Sequence, residues 1–170
     1  MRHAVHAVLT FSICFFLSSW SFAGDAEFER KTLKSLPGVL VNVRWPDTFN
    51  MAVSKKTIQT DVELRLRKAG VRVLNNEEWL ATTMNPTLLV SCDTIVSADK
   101  FQTIYSLDVA LEQKVSLVRD PAIAESTLAI TWSTSSIGLL GQFKLQLIRD
   151  SVNDQTDQFI NAYLAANPKN

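Results

Sequence analysis

The chain has 170 residues with 17 basic and 17 acidic side chains, a balance that points to neither nucleic acid nor an acidic surface as partner. Its two histidines, His3 and His6, stand in the first few residues, and its two cysteines are Cys14 and Cys92. With no histidine beyond residue 6, a Ser-His-Asp hydrolase, a Cys-His enzyme and a Cys/His zinc centre are all excluded from the body of the chain.

The N-terminus reads as an address. Arg2 precedes an apolar run from Val5 to Leu17, and Ser21-Phe22-Ala23 places small residues three and one before a cut. That pattern is a secretory signal peptide, residues 1–23, cleaved after Ala23 and leaving one domain over 24–170. The apolar core falls short of the ~20 residues of a membrane span. Phe11-Ser12-Ile13 before Cys14 makes a poor lipidation motif. Export permits a disulfide, but Cys92 alone remains after cleavage, so no intramolecular bridge forms.

Asp25 to Lys34 is charged and reads as a lead-in or short helix. Val39, Val41, Val43 and Trp45 then alternate with Leu40, Asn42 and Arg44, which predicts a strand ended by Pro46-Asp47. Ser54 is a helix N-cap, Ile58, Val62, Leu66 and Ala69 recur at helical spacing, and Gly70 closes the helix. Asp61 with Arg65 and Glu63 with Arg67 are acid-before-base pairs four apart. A short strand Val71–Leu74 follows, completing a βαβ unit. Asn75 or Asn76 caps one helical turn carrying Glu77, Glu78, Trp79 and Leu80.

Three strands are expected after Pro86. Leu88, Val90, Cys92 and Val96 share one face of the first, which buries Cys92 as an inert thiol. Tyr105, Leu107, Val109 and Leu111 share a face of the second, and that parity resumes at Val115 and Leu117. Leu128, Ile130 and Trp132 share a face of the third. The last element is helical, with apolar positions running from Leu140 and Phe143 to Leu164. The fold class is therefore α+β: a βαβ unit, then three antiparallel strands and a C-terminal helix, forming one mixed sheet with two main helices on one face.

Few side chains suggest chemistry. In Thr131–Gly141, "TWSTSSIGLLG", Gly138 and Gly141 lie only three apart, too close for a phosphate-binding loop. The serines fit a strand's solvent face and the glycines a turn into the last helix. Glu77 and Glu78 suit the first turn of a helix. Asp93 and Asp108 fall on the solvent face of their strands, where a two-carboxylate site is conceivable, but no aromatics crowd that face to hold a sugar.

The stretch from Phe101 to Arg119, read as one strand, spans roughly 60 Å, more than a domain of this size accommodates flat. It is expected to bend near Gln113-Lys114 or to project as an arm. Either way the end at Asp120–Ser126 is the expected partner contact, with Val115, Leu117, Asp120, Pro121 and Leu128 as the binding residues.

The runs "TDVELRLRKAGVRVLNNEEWL" (Thr60–Leu80), "TWSTSSIG" and "FINAYLAANPK" together resemble an uncharacterised family of exported bacterial proteins. The βαβββα order is similar to small envelope modules: auxiliary lipoproteins of ABC-type transporters, the lipopolysaccharide-assembly lipoprotein LptE and the N-terminal domain of TolB. That family brings no assigned activity; the leader, the missing histidines and the element order together are read as a periplasmic or secreted, non-enzymatic binding or accessory module of the envelope, with an envelope protein or amphiphile as partner. The charge balance points to no nucleic acid, no apolar run after residue 23 is long enough to span a bilayer, no cofactor is expected, and the oligomeric state is left open. The alternative is a carboxylate-dependent hydrolase acting on envelope polymers.

Overall fold

The computed structural model describes residues 27–46, 53–98, 102–120, 127–141 and 146–168, so the signal peptide expected at 1–23 lies outside the described residues. The elements in chain order are α1 (Glu27–Lys31), β1 (Leu40–Arg44), α2 (Lys55–Lys68), α3 (Asn76–Leu80), β2 (Thr87–Val96), β3 (Gln102–Lys114), β4 (Leu128–Gly141) and α4 (Gln146–Ala166). The four strands form one mixed sheet in the order β1-β2-β3-β4. β1 runs parallel to β2, and the other two pairings are antiparallel. This is the expected α+β architecture.

Local chemistry sets the helix ends. The Ser54 hydroxyl accepts the Thr57 N–H at 3.1 Å, and Gly70 takes φ +82°, a conformation that side chains disfavour, just past the end of α2. Asn75 caps α3 reciprocally: its side chain accepts the Glu78 N–H at 2.8 Å, and the Glu78 carboxylate accepts the Asn75 N–H at 2.9 Å. That bond, with the Arg72 guanidinium second, holds the Glu78 carboxyl below the usual carboxylate range.

The core lies between the sheet and α2 and α4. Ile58, Val62 and Leu66 of α2 and Ile148, Val152 and Phe159 of α4 are buried with Val41, Val43, Leu88, Val90, Leu107, Val109 and Leu111 of the sheet. Each such side chain contributes about 1.5–3 kcal/mol of burial. Trp132 of β4 meets Phe159 edge-on, with ring centroids 5.3 Å apart. Among the described residues no helix is long and apolar enough to cross a membrane.

Four expectations need correction. Val71–Leu74 is not a full strand: one parallel bridge, Val39 to Val73, stands beyond β1. The chain leaves α2 and enters the α3 cap within a few residues, which leaves no length for a ladder. β3 stops at Lys114 and neither bends as one long strand nor carries a regular ladder to Arg119; Leu117 and Asp120 close a tight turn instead. The interruption of the apolar series at Gln113-Lys114 is therefore where the strand ends.

Thr131–Gly141 is strand throughout, so α4 begins at Gln146 and not near Leu140. Gly138 makes no turn. A Cβ there would stand 2.4 Å from the Tyr105 ring, so the missing side chain admits the aromatic on the neighbouring strand. Lastly, Glu63 and Arg67 pair within α2 as expected, at 2.9 Å, but Asp61 and Arg65 do not pair with each other. Arg65 reaches Asp157 at 2.7 Å and Asp61 receives Arg149 at 2.6 Å, both across the α2–α4 contact. The facing helix supplies closer partners: two Arg149 nitrogens fork onto Asp61, and one Arg65 nitrogen donates to both Asp157 oxygens.

Candidate binding surface

Strand parity and register together map the face of the sheet that α2 and α4 leave open. Adjacent residues across the strands form rows: Asn42–Leu89–Ala110–Ser133, then Arg44–Ser91–Asp108–Ser135, then Asp93–Ser106–Ile137, then Ile95–Ile104–Leu139. α3 covers the first end of this face, where the Trp79 indole N–H donates to the Thr87 hydroxyl at 3.1 Å. Leu89 and Ala110 there are buried.

The other end is open and aliphatic. Ile95 is 71% exposed, Ile137 79%, Leu139 61% and Ile104 48%. Ile95, Ile104 and Leu139 stand side by side on three strands, with Ile137 one row back. Scattered surface aliphatics are ordinary, whereas a contiguous group on one face is a candidate interaction surface.

Between the two ends lie small polar residues and two carboxylates. Asp93 faces Ser106 and Asp108 faces Ser91, so the acids are diagonal neighbours on adjacent strands and not directly opposed. Partial burial first, and the Asp93 charge second, raise the Asp108 carboxyl above the usual carboxylate range. Neither acid is in an ion pair among the described residues. On the covered face, Cys92 is buried as expected. Burial above all, with Asp93 and Asp108 behind the strand, pushes its thiol up to about 12.

The residues expected to bind a partner gather at the far end of β3 and β4. Val115 and Leu117 are half-buried, Asp120 is exposed, Leu128 is 49% exposed, and Pro121 lies outside the described residues. The Val115 N–H donates to the Thr127 carbonyl at 3.0 Å, and the Asp120 N–H to the Leu117 carbonyl at 3.1 Å. A register shift at Leu111/Glu112 turns Leu128 and Ile130 onto the helix-free side, opposite Lys114 and Glu112. They do not share the Trp132 face as their spacing predicts.

The serines of Thr131–Gly141 divide by face. Ser136 points toward α4 and accepts the Gln155 amide at 2.7 Å, beside a groove of about 190 Å³ also lined by Ser151, Asp154 and Gln158. Gln155 is 4% exposed, and its Oε1 has no hydrogen-bond partner among the described residues.

These features define an α+β module with one face closed by helices and one left open. No family model matches the chain, and no curated protein matches it. Among solved structures it is similar to rare lipoprotein B from Shewanella oneidensis, with a TM-score of 0.35 and 9% identity over 74% of this chain and 94% of that one. A likeness of that size leaves the reading to this chain's own residues.

Proposed function

We propose that this chain is a non-enzymatic, exported accessory module of the bacterial envelope that binds a protein or amphiphile through the helix-free face of its sheet. One observation carries the reading: Ile95, Ile104 and Leu139 form an exposed aliphatic row across three strands, on a face that no described element covers at that end. The β3–β4 end, expected to bind at Val115, Leu117, Asp120, Pro121 and Leu128, is a second proposed contact, where Leu128 and Ile130 reach the helix-free side beyond the end that α3 covers. The export reading rests on the leader pattern at residues 1–23.

A carboxylate-dependent hydrolase is less well supported. Its acids would be Asp93 and Asp108, diagonal neighbours on the helix-free face of the sheet. The best-formed grooves border α4, and neither acid lines them.

Photo-crosslinking residues at Ile104 and Leu139, with Leu64 on α2 as the exposed control, test the proposal in cells exporting the protein. Discrete adducts, protein or lipid by mass, are expected from the first two positions and not from Leu64. Equal labelling from all three, or none from the sheet face, overturns it.

A further inference from the structure

β4 is the outermost strand of the sheet, and none of its 14 residues is charged or proline. Edge strands are ordinarily shielded by lysine, proline, shortness or a covering element, because their unpaired backbone groups template another strand. Here the shielding is partial. The Thr32 hydroxyl donates to the Thr131 carbonyl at 3.2 Å, and among the described residues no strand pairs with the far side of β4. The stretch Ser133–Gly141 is left as a long, uncharged edge.

The groups beside that edge describe its occupant. On the open face, Asp108 lies directly behind Ser135 and is in no ion pair among the described residues; Arg44, in the same row across Ser91, pairs with no described acid either. Ile137 and Leu139 follow on the same face. On the helix side, Gln155 Oε1 is an unmet buried acceptor beside Ser136. A second copy fits poorly, because β4 carries no basic residue and β4-to-β4 pairing leaves Asp108 unmet in both copies.

We propose that an extended segment of a partner protein adds to the Ser133–Gly141 edge as a fifth strand, with a Lys or Arg opposite Ser135 and aliphatic side chains opposite Ile137 and Leu139. The small Ser135 side chain lets the basic residue cross to Asp108, two strands or roughly 10 Å away. Main-chain bonds supply affinity, and the alternating side chains supply selection. The partner's signature is basic-x-aliphatic-x-aliphatic if the added strand is parallel, and the reverse if antiparallel. This rests on reading the chain as a binding module and names how it binds.

The test uses the protein from Gly24 onward and fluorescent probe peptides of alternating Thr and Val with one Lys at either end. One Lys peptide is expected to bind in the range below about 1 mM. Replacing its Lys by Glu, or making Asp108→Asn, is expected to weaken binding about five- to tenfold. N-methylation of one alternate set of its amides should abolish binding, and of the other set should leave it. Ile137→Lys should abolish binding, and Leu139→Ser, which keeps the strand uncharged, should weaken it if Ile137→Lys does not fold. No binding by either Lys peptide, or equal binding of the Glu peptide, overturns the inference. So does equal tolerance of both N-methyl sets, although crosslinks from Ile104 would still sustain the binding module. A concentration-dependent dimer lost on Ser135→Lys overturns it in favour of a second copy.

Discussion

The two faces of the sheet share four strands yet obey different rules. On the helix-covered face, Leu88, Leu107, Val109, Leu111 and Trp132 are all but inaccessible, and the ionisable Cys92 is held neutral. On the open face, residues of the same aliphatic type, Ile95, Ile104, Ile137 and Leu139, meet solvent. Apolar character alone therefore does not locate the core of this protein. Parity combined with register does.

The contrast is broken most forcefully from the covered side. Trp132→Ala removes a 1% exposed indole that meets Phe159, and a loss of about 3–5 kcal/mol is expected in urea unfolding. A loss below 1 kcal/mol would place Trp132 outside the core. Gly138→Ala is the next largest. Its Cβ meets the Tyr105 ring at 2.4–2.5 Å, so a loss of about 1–3 kcal/mol is expected. Combining it with Tyr105→Val should recover part of that loss, because the clash is then gone, and additive losses would refute the contact.

The covered half of the molecule was legible because several cues agree there. Ser54 and Gly70 bracket α2 by their capping chemistry, and the period of Ile58, Val62 and Leu66 picks out its buried stripe. The open face was not legible for physical reasons. Ile95 and Ile104 carry strand propensity whichever way they point, and only pairing shows that they lie side by side. A bulge at Leu111/Glu112 then moves Leu128 and Ile130 to the face opposite Trp132, which sequence spacing cannot register. Gly138 looked like a turn because glycine has two uses in strands, and only the Tyr105 ring across the ladder tells them apart. Asp61 and Arg65 were drawn to distant partners on α4, a choice settled by helix packing.

The smallest effect separates the faces by charge. Partial burial and the Asp93 charge raise the Asp108 carboxyl in the folded chain, with a Ser106 hydrogen bond opposing them. A raised carboxyl contributes stability in its protonated form, fully present below its unfolded pKa of about 3.9 and lost as pH rises through the higher folded value. At pH 7 the ionised Asp108 thus works against folding, since no described cation pairs with it and the Ser106 bond only partly offsets its burial. Asp108→Asn should therefore match or exceed the native chain at pH 7, by no more than about 1 kcal/mol given its solvent screening. That gain should vanish near pH 3, where both side chains are neutral. Asp93→Asn should give a smaller gain of the same sign, because its charge is the second cause and not the first. Urea midpoints at the two pH values check this. A stability loss at pH 7 in Asp108→Asn would mean that the carboxylate already has a partner in the free protein, and the open face would then be less available than its exposure indicates.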